Sequence, residues 1–249
     1  KLSSITDISV QKAEPAGCKT FKIVKSRQGD SGSTLISPDV SVCTECLEEM
    51  EDPDDRRYEY PFINCTNCGP RFTIIEDIPY DRSQTSMKEF PMCGKCRKEY
   101  EDPLDRRFHA QPNACHVCGP QAFLLDSSGR DACGDAENPV DRAAELLADG
   151  AILAVKGLGE FHLAVDAKNE DAVKRLREQK GRPHKPLAVM AESVDRILPY
   201  VHVNEEEKRI LESFHRPIVL LEKRETAGLS DLPAPSVAPR NSCLGVMLP

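Results

Sequence analysis

The sequence runs to 249 residues and carries 33 Lys and Arg against 41 Asp and Glu, a formal net charge of −8 at pH 7. That balance argues against a chain whose main task is gripping a phosphate backbone, so nucleic acid is not an expected partner. No stretch approaches the roughly eighteen apolar residues of a membrane-spanning helix, and eleven cysteines without an apolar signal segment fit a reducing cytoplasm.

Ile5, Ile8 and Val10, then Phe21, Ile23 and Val24, predict two strands around the turn Pro15-Ala16-Gly17. Two strands without partners are marginal alone. Residues 1–36 are therefore read as the last strands of a domain and a linker, Gln28 to Thr34 with its two Gly and two Ser.

Four Cys-x-x-Cys pairs follow: Cys43/Cys46, Cys65/Cys68, Cys93/Cys96 and Cys115/Cys118. Each cysteine of the first two pairs has a counterpart 50 positions later, and Glu51-Asp52-Pro53-Asp54-Asp55-Arg56-Arg57-Tyr58 matches Glu101-Asp102-Pro103-Leu104-Asp105-Arg106-Arg107-Phe108, so the segment is an internal duplication. Within a half, 18 residues separate the two hooks, close to the spacing of a structural zinc site. Four thiolates close the tetrahedron and leave no position for water, so such a site folds the chain and does no chemistry. Grouping Cys43, Cys46, Cys65 and Cys68, then Cys93, Cys96, Cys115 and Cys118, is the simplest assignment, and interleaved grouping stays open at this point. His109 and His116 lie near in sequence and read as packing residues. Disulfides of a secreted domain or redox pairs are the competing reading, the first disfavoured by the lack of an apolar signal segment and the second by the even duplication of the hooks. Metal binding is expected to supply most of the folding free energy here, on the order of ten kcal/mol per site. Gly69 and Gly119, each directly after a hook, predict turns with positive φ.

Between and after the hooks, Arg71 to Ile75 and Phe123 to Leu125 predict strands and Pro79 to Thr85 a loop. Arg56-Arg57 and Arg106-Arg107 are open to two readings, binding a partner or neighbouring domain, or pairing with the adjacent acids.

From residue 136 helices and strands alternate. Asn138-Pro139 caps a helix through Leu147 that stops at Gly150. Ala151 to Val155 predicts a buried strand and His162 to Val165 another. Asn169 caps the helix of Val173, Leu176 and Arg177, and Leu187 to Met190 predicts a third strand. Asn204 with Glu207 forms a capping box before Ile210 and Leu211, and Pro217 to Leu221 predicts a fourth strand. The alternation points to an α/β domain with helices packed on a sheet. Lys156, Lys180, Arg182 and Lys185 gather at its edges. They read equally as an anion site, where arginine forks onto phosphate, and as cations that complement helix C-termini.

Lys180-x-Arg182-Pro183 followed by Lys185-Pro186-Leu187-Ala188-Val189-Met190, after Gly159-x-Phe161-x-Leu163-Ala164-x-Asp166-Ala167, resembles the YrdC-type domain, which binds ATP and forms carbamoyl-adenylate intermediates. Behind duplicated zinc hooks, it resembles the HypF family of hydrogenase-maturation carbamoyltransferases. Tyr60-Pro61-Phe62-Ile63-Asn64-Cys65 through Ile74, and Arg106-Arg107-Phe108-His109-Ala110-Gln111-Pro112-Asn113-Ala114-Cys115, are similar to that family's segments. The resemblance covers essentially the whole chain and implies the following order. Residues 1–36 would be the last strands of a ferredoxin-like acylphosphatase domain plus linker, 37–82 and 83–130 two zinc-finger-like modules, and 131–249 the N-terminal part of a YrdC-like α/β open twisted sheet. It further implies two Zn²⁺ per chain, ATP with Mg²⁺ as substrate, and carbamoyl phosphate as carbamoyl donor. The acceptor would be the C-terminal cysteine of a HypE-type protein, where the group becomes the cyanide ligand of a nickel-iron hydrogenase. By matching motifs, Lys180, Arg182 and Lys185 would neutralise the nucleotide phosphates, with Lys156 a fourth cation where the tRNA-modifying synthases carry a Pro-Thr pair. Glu160 and Val165 depart from the expected glycine and cysteine. The resemblance places carbamoyl transfer in a domain outside this stretch, so no residue here is expected to be catalytic.

Two other readings compete. A threonylcarbamoyl-adenylate synthase for tRNA modification shares the fold, and with it an association with double-stranded RNA, but lacks the zinc duplication. A non-catalytic zinc module would bind no ATP.

Overall fold

The computed structural model describes residues 7–14, 17, 20, 36–134, 138–157, 159–224 and 233–249. The strand expected at Phe21 to Val24 and the linker at Gln28 to Thr34 lie outside the described residues. Residues 7–14 form no strand.

In the cysteine-rich segment two helices, α1 (Thr44–Glu51) and α2 (Gly94–Glu101), start directly after the first cysteine of a hook, with Cys43 and Cys93 as extended N-cap residues. The second cysteine of each hook, Cys46 or Cys96, therefore sits in a first helical turn, where the dipole favours negative charge. Arg71 to Ile75 is a turn, not a strand. The backbone N–H groups of Arg71 and Thr73 both donate to Asp39 Oδ1, at 2.7 and 3.1 Å, which curls the segment so that Ile75 alone bridges Thr85. Its repeat counterpart is equally reduced, to a single bridge between Leu125 and Asp131. The expected loop after Pro79 contains a 3-10 turn, Arg82–Gln84.

The α/β part follows its sequence signals closely. In α3 (Pro139–Ala148), Asn138 Oδ1 accepts from Val140 N at 2.9 Å. In α4 (Glu170–Lys180), Asn169 Oδ1 accepts from Ala172 N at 3.0 Å, and Gly181 at φ 58 ends the helix. In α6 (Glu205–Leu211) the Asn204–Glu207 capping box is complete, with bonds of 2.9 and 2.8 Å. A short helix, α5 (Val194–Ile197), precedes α6.

The strands divide into two sheets. β1 (Leu153–Lys156) and β2 (Phe161–Ala164) form an antiparallel hairpin in which Leu153 pairs with Ala164 and Lys156 with Phe161. β1 was expected to be buried, but Val155 is 47% exposed, and on β2 Phe161, which pairs with Lys156, is 65% exposed. β3 (Ala188–Met190), β4 (Val219–Glu222) and β5 (Cys243–Met247) form a mixed sheet with β5 central, parallel to β3 and antiparallel to β4. Sequence reading did not assign β5. One face of this sheet carries the core: Leu221, Leu244 and Val246 meet Val173 of α4, Val194 and Ile197 of α5, Leu211 of α6 and Val237. Each such buried aliphatic side chain contributes about 1.5–3 kcal/mol relative to exposure. The N–H of Ser41 donates to the Phe214 carbonyl at 3.1 Å and ties the cysteine-rich segment to the α/β part.

Candidate functional site

The eight hook cysteines form two groups within, not between, the repeats: Cys43, Cys46, Cys65, Cys68 and Cys93, Cys96, Cys115, Cys118, each with all four sulfurs within 4.8 Å of one another. In the first, Sγ–Sγ separations are 3.7 Å for Cys43–Cys65, 3.7 Å for Cys65–Cys68 and 3.5 Å for Cys46–Cys68. In the second they are 3.9, 3.8 and 3.5 Å for the equivalent pairs. Four sulfurs held about 2.3 Å from a tetrahedral zinc stand about 3.8 Å apart, whereas a disulfide would bring two of them to about 2.05 Å. The clusters therefore fit two zinc sites, and none of the described cysteines is in a disulfide. His109 and His116 lie outside both groups. His116 Nε2 meets the Tyr58 carbonyl at 2.8 Å, and the His109 ring packs 4.7 Å from that of Tyr100.

The two glycines behave differently. Gly69 has the expected positive φ, 96°, while Gly119 does not. Gly119 is required by space: a Cβ there would stand 2.0 Å from Tyr60 Oη and 2.6 Å from the Ala114 Cβ.

The arginine pairs follow the first of the two readings, binding a neighbouring domain: each crosses to the other repeat, where its acidic partner is a glutamate of that repeat's helix and not an adjacent acid. Arg56 Nη2 donates to Cys96 Sγ at 3.2 Å and to Glu99 at 2.7 Å, and Arg57 donates to Glu99, to Asn113 Oδ1 and to the Ala114 carbonyl. In return both terminal nitrogens of Arg106 reach Cys46 Sγ at 3.2 Å, Arg106 Nε donates to Glu49 at 2.9 Å, and Arg107 donates to Glu49 and to the Asn64 carbonyl. Arg57 and Arg107 are 2% and 4% exposed, so their charges depend on these partners. Burial raises the Glu99 pKa, but the hydrogen bonds from Arg57 and Arg56 outweigh it and hold it down at about 2. Glu49 is lowered by the same opposition of burial and two arginines. For Arg56 and Arg106 burial acts downward, and the facing glutamate and thiol override it and push both pKa values up.

The four cations noted in the α/β part are not all brought together. Lys180 ends α4, and Arg182 and Lys185 lie on the loop that follows it, Lys180 and Lys185 exposed and Arg182 half-buried. A buried residue that sequence reading treated only as helix face organises this loop. The Arg177 guanidinium donates to the carbonyls of Arg182 at 2.8 Å, Lys185 at 3.0 Å and Val237 at 2.9 Å, and to that of Ser236. Its position three residues before Lys180, with burial as the only tell, carried no separate signal. Burial, then the charge of Arg182, lowers the Arg177 pKa. Lys156 instead stands on the β1–β2 hairpin, its Nζ 5.4 Å from the centroid of Phe161. Glu160 is exposed in that hairpin's turn.

A family model for the HypF finger matches twice, over residues 42–75 and 92–125, and the Sua5, YciO and YrdC model, described as telomere recombination, matches residues 145–249. Each finger match encloses one four-cysteine cluster. The carbamoyltransferase HypF of Synechocystis sp. is 48% identical over 98% of this chain and 31% of its own length, and that of Rhizobium leguminosarum bv. viciae 45% over 99% and 30%. This chain belongs to the HypF family. It spans about 31% of the length of such relatives. The crystal structure of full-length HypF in the phosphate- and nucleotide-bound form superposes with a TM-score of 0.80 at 52% identity, covering 88% of this chain and 28% of that one. The crystal structure of T. kodakarensis HypF gives 0.81 at 51% identity over the same shares. Family membership thus accounts for both the duplicated clusters and the α/β part. No helix of the described residues is long and apolar enough to cross a membrane.

Proposed function

We propose that this chain serves an ATP-dependent carbamoyl transfer in nickel-iron hydrogenase maturation. Carbamoyl phosphate supplies the carbamoyl group, ATP activates it as carbamoyl-adenylate, and the C-terminal cysteine of a HypE-type acceptor receives it in the cytoplasm. One observation carries this reading: two four-cysteine modules precede a YrdC-type segment in the order and at the identity found in relatives named carbamoyltransferase HypF.

Within it, Cys43, Cys46, Cys65, Cys68 and Cys93, Cys96, Cys115, Cys118 hold two Zn²⁺, which shape the modules and leave no open coordination position for chemistry. Lys180, Arg182 and Lys185, with Lys156 at the hairpin, face the phosphates of MgATP and stabilise charge on phosphoryl oxygens. The carbonyl-clamped Arg177 supports this by fixing the loop that carries Arg182 and Lys185 just after Lys180. Residues 37–82 and 83–130 act as the two zinc modules and 131–249 as the YrdC-like part.

The test is nucleotide binding by calorimetry. The wild-type chain is expected to bind MgATP, and the Lys180→Ala/Arg182→Ala variant to bind at least about tenfold more weakly. Equal affinities would remove these residues from the nucleotide site, and pyrophosphate release from ATP that ignores carbamoyl phosphate, in the protein carrying this chain, would refute the transfer reading.

A further inference from the structure

We propose that the two four-cysteine sites load with metal as one cooperative unit, because each module supplies the cations that surround the other module's sulfurs. This rests on the zinc reading above and goes beyond it, since two closed sites on one chain fill independently unless something couples them.

The coupling lies in repeat-equivalent contacts. A zinc ion with four thiolates holds two surplus negative charges, and burying them is costly unless cations face them. Guanidinium groups at 3.2 Å from Cys46 and Cys96 provide those cations, and each comes from the opposite module. The guanidinium fork lets one arginine hold a sulfur and a carboxylate together, so Glu49 and Glu99 fix the geometry. The exchange extends to backbone: Arg57 Nε binds the Ala114 carbonyl and Arg107 Nε the Asn64 carbonyl, both at 2.9 Å, each one residue before a ligand of the opposite cluster.

A four-cysteine module folds with its metal. A first module without metal withdraws Arg56 and Arg57 from Cys96 and Glu99, and withdraws Glu49 from Arg106 and Arg107. The second site then binds metal more weakly, and by linkage the second acts on the first to the same degree.

Native mass spectrometry of the reduced, metal-free chain titrated with Zn²⁺ tests this. At one equivalent, metal-free and two-zinc chains are expected to dominate, with the one-zinc species well below the roughly one half that equal independent sites give. A one-zinc species at one half or above overturns the coupling. Absence of any zinc uptake overturns the zinc reading itself, so the two failures are distinct. In Cys43→Ser/Cys46→Ser, which keeps all four cysteines of the second cluster, Zn²⁺ affinity there is expected to fall at least about tenfold in chelator competition. Wild-type affinity overturns the proposal. Arg56→Gln changes a partly exposed side chain and keeps all eight cysteines. It is expected to weaken both sites in step, and a loss confined to the Cys96 cluster overturns the coupling.

Discussion

Arg106 aims both terminal nitrogens at the Sγ of Cys46, each 3.2 Å away, across 60 residues of sequence. Arg56 returns the contact to Cys96 at the same distance. The charge that offsets each cluster is therefore encoded in the other repeat, and the two modules form one reciprocal unit.

Glu99 accepts from Arg56 and Arg57, and removing its charge leaves the buried Arg57 without its carboxylate, with only the more distant Cys96 sulfur at 3.8 Å as an anionic neighbour. Glu99→Gln is expected to lower the stability of the zinc-loaded protein by about 2–3 kcal/mol in urea unfolding. The pKa of Glu99 is depressed from 4.5 to about 2, so its contribution is complete above pH 4.5 and is lost as pH falls towards 2. The penalty of the variant should accordingly be the same at pH 6 and pH 8; a penalty that changes between them would show that Glu99 titrates there.

Gly119 sits where a Cβ would overlap Tyr60 Oη. Gly119→Ala is expected to cost about 2–3 kcal/mol through overpacking, with partial recovery in Gly119→Ala/Tyr60→Phe, because the Ala114 contact remains. Gly94, with nothing within 4 Å of its notional Cβ, should tolerate alanine within about 1 kcal/mol of wild type or gain from it. Thermal unfolding of the three variants decides, and equal effects at both glycines would refute the account.

Arg177 satisfies four carbonyls with one guanidinium. Arg177→Met is expected to cost about 3 kcal/mol, since those carbonyls lose a charged donor inside a partly buried loop. Arg177→Lys should recover only part, because an ammonium lacks the planar fork. Full recovery by lysine in thermal unfolding would mean that charge alone matters.

Metal removal should separate the two halves of the structure. Excess chelator under reducing conditions is expected to abolish hydrogen-exchange protection across residues 43–118, while β3, β4 and β5 keep theirs, because their core is aliphatic and contains no hook cysteine. Protection that survives in α1 and α2 would show that apolar packing alone holds the modules.

Much of this was legible beforehand because it is local. The hooks, the caps at Asn138 and Asn169, and the Asn204–Glu207 box involve residues a few positions apart, so spacing alone reports them, and the duplication shows because the same residues recur 50 positions later. The strand expected at Arg71 to Ile75 failed because Asp39, more than 30 residues earlier, takes the backbone donors that a strand would have used. β5 was missed because Leu244-Gly245-Val246 is short and holds a glycine. Ile218 and Leu220 close over that glycine, 3.2 and 3.6 Å from where a Cβ would stand.

What the sequence alone determined about this protein is its eight hook cysteines, its repeat and the capped helices of the α/β part, because hooks and caps act within one turn of chain and a repeat is written in the sequence itself, while the grouping of the cysteines into two sites waited on the fold. What only the tertiary structure decided is which repeat each arginine serves, why Gly119 must be glycine, and that Arg177 shapes the cation loop. In each case the partner is a buried thiol, hydroxyl or carbonyl distant in sequence or hidden in the backbone, and a buried charge takes whichever partner the fold delivers.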